Sequence, residues 1–216
     1  MKNIIKAFEE YADAYDRWFD TPEGRVLFEI EIETIRLLMK NLESPFLEIG
    51  VGSGRFAKEL GIEFGVDPAT KLLEIALNRG IKVRMARGEN LPFENSSFGA
   101  VFLLFTLCFV DEPEKVFSEA KRVLRNGGGL IIGIINRDSA WGELYMKKKL
   151  EGHPIYKHAR FYSVDEVVKL IEEIGMSIGA YSSTLCQPPS EMPYKENVHD
   201  RLVEGAGFVC ILAREF

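Results

Sequence analysis

Apolar residues open the chain at three-to-four-residue intervals. Ile5, Phe8, Ala12, Tyr15 and Phe19 predict an amphipathic helix over 3–19. Thr21-Pro22 supplies a cap and a first-turn proline for a second helix reaching about Lys40. The pattern then changes to short apolar runs at about 45–49, 62–67, 81–86, 99–105 and 128–135, with helical spacing between them at about 54–60, 69–79 and 112–124. That alternation predicts an α/β fold, a parallel sheet with helices on both faces. After Asn136 the rhythm loosens into an insert over 137–162, helical at about 139–151. A helix over Val164–Ile174 follows, with Ser163 as N-cap and Gly175 as its end. Strands at about 177–186 and 206–214 complete seven, and Gln187-Pro188-Pro189-Ser190-Glu191-Met192-Pro193 reads as irregular chain between them. Neither repeats nor a linker interrupt the pattern, so residues 1–216 are expected to form one domain with 1–41 as an N-terminal helical cap.

Composition narrows the class of molecule. The chain has 216 residues, 46% of them hydrophobic, enough for one well-packed α/β domain and short for two. Its net charge of −6 gives no support for binding a long phosphate backbone. The densest basic run, Lys147-Lys148-Lys149, reads as a solvated helix face or helix end. No apolar signal core develops after Met1, and the longest apolar stretch, Val101 to Val110, is too short to cross a bilayer. A cytoplasmic protein without membrane attachment is therefore expected. Cys108, Cys186 and Cys210 are odd in number and far apart, which favours reduced thiols and predicts no metal site.

The chemistry concentrates where the first strand runs into Gly50-Val51-Gly52-Ser53-Gly54-Arg55. Glycine at 50 and 52 lets the backbone turn sharply and approach a ligand without a Cβ in the way. The dinucleotide fingerprint GxGxxG needs its third glycine at position 55, where Arg55 stands, so the pattern is GxGxG. The next strand ends at Gly65-Val66-Asp67-Pro68. In an open α/β sheet that acid lies on the same edge as the glycine turn and can accept both hydroxyls of a ribose.

Four stretches in register carry a family likeness: Leu47-Glu48-Ile49-Gly50-Val51-Gly52-Ser53-Gly54, Gly65-Val66-Asp67-Pro68, Gly88-Glu89-Asn90-Leu91-Pro92-Phe93 with Phe98, and Arg122 to Gly129. The chain resembles a class I S-adenosylmethionine-dependent methyltransferase, of the small single-domain type that includes ubiquinone/menaquinone-biosynthesis enzymes. The resemblance implies a Rossmann-like methyltransferase fold, a mostly parallel seven-stranded sheet with an antiparallel final strand. It implies S-adenosylmethionine as cofactor and a small-molecule acceptor, methylated by in-line displacement to give S-adenosylhomocysteine. Under it, Glu48 would sit near the methionyl amino group, and Gly50, Gly52 and Gly54 would pass beneath the methionyl and ribose portions. Asp67 would hold the ribose hydroxyls, with Pro68 aligning the turn. Gly88, Glu89, Asn90 and Leu91 would meet the adenine, and Phe105 and Thr106 would line the pocket. Tyr11 and Tyr15, four apart on one helix face, would lie over the methyl donor.

No general base follows the fourth strand, where Leu107-Cys108-Phe109 stands, and Cys108 reads as a small buried filler. Trp141, Tyr145, His158, Arg160, Phe161 and Tyr162 are the richest polar-aromatic supply for an acceptor pocket. Tyr15 and His158 are the catalytic candidates, His158 because it can take a proton at neutral pH. Three other readings stay open: an RNA or protein methyltransferase with the same cofactor half, a non-catalytic S-adenosylmethionine-binding protein, and an NAD-dependent oxidoreductase.

Overall fold

The computed structural model describes residues 2–190 and 192–215. Two helices, α1 (Lys2–Trp18) and α2 (Pro22–Leu38), precede β1 (Phe46–Ile49). There follow α3 (Arg55–Leu60), β2 (Phe64–Asp67), α4 (Thr70–Asn78), β3 (Lys82–Met85), β4 (Phe98–Leu104), α5 (Pro113–Val123) and β5 (Leu124–Ile135). The chain then forms α6 (Ala140–Leu150), α7 (Val164–Glu173), β6 (Ser177–Thr184) and β7 (Phe208–Arg214). Short 3-10 turns lie at Leu107–Phe109 and Tyr156–His158. The seven strands form one sheet in the order β3-β2-β1-β4-β5-β7-β6. The first five are mutually parallel, and β7 runs antiparallel to both β5 and β6. This is the expected Rossmann-like architecture.

Every residue of β4 is buried, as a strand covered on both faces requires. Val101 and Leu103 join the core formed with α5 and α7, while Ala100, Phe102 and Leu104 join the one formed with α2 and α3. The predicted caps form. Thr21 Oγ1 accepts the Gly24 N–H at 3.0 Å, and Ser163 and Glu166 make a reciprocal capping box.

Some boundaries move for local reasons. β2 begins at Phe64 because Gly61 ends α3 in the left-handed region and the Ile62 N–H turns back to Ala57 O at 2.8 Å. β5 begins at Leu124, which pairs with Phe98 ahead of an irregularity in the β4–β5 register. The irregular chain after β6 is held by Glu196, whose carboxylate accepts from Thr184 Oγ1 and from the Cys186 and Gln187 N–H groups. Glu191, within that expected segment, lies outside the described residues.

Candidate active site

The parallel strands end together, and the loops leaving β1, β2, β3 and β4 surround a cavity of about 450 Å³. That size lies in the roughly 300–1,000 Å³ range of small-molecule sites. Gly50 N–H and Val51 N–H both donate to Val66 O, at 2.8 and 3.0 Å, which ties the glycine turn to the end of β2. Gly50 has φ +74°, and a Cβ there would lie 2.2 Å from Thr106 Oγ1, so only glycine lets the β4 end pack against the turn. Gly52 has φ +52° and faces the cavity, with Tyr15 Cε1 3.8 Å from where its Cβ would lie.

Asp67 joins the two turns. Its Oδ2 accepts Gly52 N–H at 3.0 Å and its Oδ1 accepts Ala69 N–H at 2.8 Å, while the carboxylate lines the cavity. Two donors leave roughly two of about four lone-pair positions for a ligand. Burial pushes Asp67 up to about 6 against those bonds, so a ligand that donates to it favours the ionised form. Glu48 lies beneath the turn, only 2% exposed and outside the lining, with Oε2 lacking any partner. Burial, and then the charge of Asp67, push it well above the usual carboxylate range. These features fit the donor that the resemblance implies: an acid with spare acceptor capacity, an orphaned buried carboxylate oxygen and a floor free of Cβ atoms.

The other predicted residues divide. Tyr11, Tyr15, Pro68, Gly88, Glu89, Phe105 and Thr106 line the cavity with Gly50, Gly52 and Asp67. Glu89 is held by Arg87 at 3.0 Å, and Arg87 also reaches Asp111 at 3.3 Å. Phe105 adopts φ +54°, an uncommon conformation for a bulky residue, with its ring stacked on Phe208 at 4.7 Å. Gly54, Asn90 and Leu91 do not line the cavity. Gly54 instead permits α3 to pack on Ala76, Asn90 is exposed, and Leu91 turns into the core while its N–H donates to Glu119 at 2.7 Å.

His158 is also outside the lining, whereas His153, on the approach to the same 3-10 turn, is part of it. His153 Nδ1 accepts long bonds from Ile155 and Tyr156 N–H, at 3.3 and 3.4 Å, which leaves its proton on Nε2. Of the six residues expected to supply the acceptor pocket, Tyr145 alone reaches this cavity. Trp141 is buried with Nε1 donating to Gln187 O at 2.8 Å, and Arg160 lies over the Tyr162 ring at 4.8 Å. The lysine run is a helix end, the last turn of α6, where Lys147 pairs with Glu151, Lys149 donates to Ala159 O, and Lys148 lines the cavity over Tyr145. Burial pushes the Cys108 thiol up to about 12, which disfavours a nucleophile, but the residue is half-buried and lines the cavity, so it is not the buried core filler expected.

Two features escaped the sequence reading. Glu31 of α2 lines the cavity while only 7% exposed, and burial pushes it up to about 8. It stands four residues from both Leu27 and Ile35, so a charge on a buried stripe was the available signal. Arg55 clamps α1 over the site, with Nε 2.9 Å from Asp16 and Nη2 2.7 Å from Asp20. Arg79 adds Nη2 to Asp16 at 2.8 Å and Nη1 to Ser53 O at 2.6 Å. Glu9 completes the docking of α1 by accepting the Thr70 and Lys71 N–H groups at the start of α4. No helix among the described residues is long and apolar enough to cross a membrane.

Residues 47–132 match the family model described as a methyltransferase domain. An uncharacterized protein of Mycobacterium tuberculosis is 45% identical over 203 residues, 94% of this chain and 71% of that one. A solved Thermotoga maritima protein, described as an S-adenosylmethionine-dependent methyltransferase and possible histamine N-methyltransferase, is 37% identical with TM-score 0.91, covering 99% of this chain and 100% of that one. A demethylmenaquinone methyltransferase of Tropheryma whipplei is 26% identical over 203 residues, 80% of this chain and 82% of that one. With the glycine turn and its acid meeting where the first two strands end, the chain belongs to the S-adenosylmethionine-dependent methyltransferases.

Proposed function

We propose that residues 1–216 work as one methyltransferase domain whose donor site is the turn at 50–54 with Asp67, and whose acceptor side is built by 1–41 and 137–162. The carrying observation is Asp67, which binds the backbone of both flanking turns and still presents its carboxylate to the cavity. In this reading Asp67 accepts the ribose hydroxyls, Glu48 offsets the methionyl ammonium, Glu89 meets the adenine edge, and Tyr11 and Tyr15 close over the donor. Gly54, Asn90 and Leu91 act by shaping the turns, and His158 has no part in the chemistry.

When bound, S-adenosylmethionine supplies a methyl group on a positively charged sulfur that leaves as a neutral thioether. The chain contributes positioning and exclusion of water. Phe8, Phe19, Phe56, Phe105 and Phe109 make much of the wall apolar. Tyr15 stays a neutral hydroxyl, because burial, reinforced by Tyr156, Glu48, Asp67 and Glu31, raises it far above the ordinary phenol range.

A cavity of this size suits a small acceptor better than a nucleic acid, in keeping with the net charge of −6. The likeness to menaquinone-biosynthesis enzymes makes a hydroxylated aromatic ring one acceptor to test, and the Thermotoga relative makes an amine another. Calorimetry with S-adenosylhomocysteine, and NAD as control, tests the donor site. One-site binding of the thioether by the wild type, weakened in Asp67→Ala, supports the reading; a folded wild type that does not bind it overturns it.

A further inference from the structure

Glu31 sits in the acceptor wall with nothing to neutralise it. Among the described residues no hydrogen bond or ion pair reaches its carboxylate, although it is 7% exposed and lines the cavity. The titratable groups with Glu31 among their electrostatic neighbours include Tyr15 on α1, Tyr145 on α6, Tyr156 on the following turn and Cys210 on β7. All four are held neutral by burial. The cations of the cavity wall are placed elsewhere: Arg87 binds Glu89 and Asp111, and Lys148 lies over the Tyr145 ring at 4.9 Å with no ion pair among the described residues. A carboxylate removed from water and facing open space without a counter-charge is costly, and a cationic ligand removes that cost.

The donor's own ammonium does not account for it. Glu48, under the glycine turn, is a second carboxylate with an unpartnered oxygen, and one ammonium cannot serve both. Glu31 shares the cavity wall with Tyr145 and Tyr156 of the acceptor-side segment, whose rings meet edge to face with centroids 4.7 Å apart. Aromatic faces around a buried carboxylate suit an ammonium on an apolar body. A neutral quinol or thiol would donate a hydrogen bond but bring no counter-charge.

Resting on the methyltransferase reading above, we propose that Glu31 is the acceptor-recognition carboxylate of this cavity and that the acceptor is a small primary or secondary amine with an apolar body. Burial leaves Glu31 largely protonated in the empty cavity at neutral pH; it releases that proton to solvent as the amine enters as an ammonium and pairs with it. The ammonium proton passes to a Glu31 oxygen, which frees the nitrogen lone pair. That pair forms the nitrogen–carbon bond as the carbon–sulfur bond breaks and its electrons remain on sulfur. The products are the N-methylammonium and the neutral thioether, and the proton on Glu31 returns to solvent. Glu31 is thus both the binding charge and the proton acceptor, and His153, with Nδ1 already accepting, is neither.

The test pairs isosteric acceptors on the full chain: 2-phenylethylamine and tyramine against 2-phenylethanol and 2-phenylethanethiol, each with tritiated donor and each in thermal shift on protein loaded with S-adenosylhomocysteine. The expected result is stabilisation and methyl incorporation by the amines alone. Glu31→Gln keeps its affinity for S-adenosylhomocysteine and loses about 100-fold in kcat/KM for the amines, the scale of losing a charge-assisted contact. Ligand-free Glu31→Gln and Glu31→Leu melt higher than wild type, whereas a structural role for Glu31 would make them melt lower. Incorporation into the alcohol or thiol but not the amines, no response to either amine in protein that binds S-adenosylhomocysteine, or loss of that binding in Glu31→Gln would overturn the proposal. Wild-type protein that does not bind S-adenosylhomocysteine would instead sink the donor site beneath it.

Discussion

Asp16 on α1 and Glu31 on α2 are carboxylates held largely out of water on the two N-terminal helices, and their surroundings are opposite. Asp16 has Arg55 at 2.9 Å and Arg79 at 2.8 Å. Burial opposes its ionisation, yet hydrogen bonds from Arg79 and Arg55 outweigh burial and hold it well below the usual carboxylate range. Among the described residues Glu31 has tyrosines and no paired cation, and burial alone pushes it up to about 8. A carboxylate that the chain itself neutralises fixes the fold, here by docking α1 over the glycine turn. One left without a partner beside open space costs stability until a ligand arrives. Glu48 and Asp67 side with Glu31, since burial raises both.

The contrast predicts a pH dependence of opposite sign on its two sides. Glu31 binds its proton more tightly folded than unfolded, so its favourable share is complete below about pH 4, near the unfolded value, and is lost as pH rises through about 8. That share is on the order of 5 kcal/mol. Asp16 binds its proton more weakly when folded. Its share is present above about pH 4 and is lost as pH falls through its depressed folded value. Ligand-free protein is therefore expected to be most stable on the acid side of neutrality, and Glu31→Gln to flatten the decline between about pH 5 and 8. Urea unfolding across pH measures this, and a slope unchanged by Glu31→Gln would break the contrast.

Asp67→Ala tests the donor side. Losing hydrogen bonds to a charged group costs roughly 1.5–3 kcal/mol, so S-adenosylhomocysteine affinity should fall about 10- to 100-fold in calorimetry. Asp16→Asn acts on the neutralised side. It leaves Arg55 and Arg79 without their shared acceptor and should cost about 1–2 kcal/mol of stability, discounted for partial exposure. Its thermal midpoint should fall at neutral pH, where that of Glu31→Gln rises.

The fold was legible because its physics is local. Apolar runs and helical spacing placed all seven strands, and Thr21 and Ser163 announced their helices through hydroxyls that cap three residues on. The donor half was legible because a glycine turn and an acid closing the next strand must meet at one edge of a parallel sheet. The acceptor half depends on rotations that sequence spacing does not fix. His158 and His153 lie on the same short segment, and the way it turns decides which one faces the cavity. Leu91 sits two residues from Glu89 yet turns into the core. Arg55 stood out for breaking a dinucleotide fingerprint, but its partners lie 39 and 35 residues earlier, beyond any local pattern. Glu31 did carry a local signal, a charge between Leu27 and Ile35, which the regular amphipathic pattern of α2 masked.

The smallest expected effect separates the two acids that share Arg55. Asp20 bonds Nη1 at 3.0 Å and Nη2 at 2.7 Å, while Asp16 bonds Nε at 2.9 Å and Nη2 at 3.2 Å. By distance alone the two bonds are equivalent. Their surroundings differ: the Asp20 side chain is 54% exposed and that of Asp16 is 14% exposed. Water solvates Asp20 almost as well with or without Arg55, and exposed pairs add little. Asp20→Asn should therefore leave the thermal midpoint and S-adenosylhomocysteine affinity near wild type while Asp16→Asn lowers the midpoint. Equal losses in the two variants would mean that the number of bonds to Arg55 holds α1 in place, whereas the predicted split makes burial of the Asp16 centre, with Arg79 on its other side, the part that docks the helix.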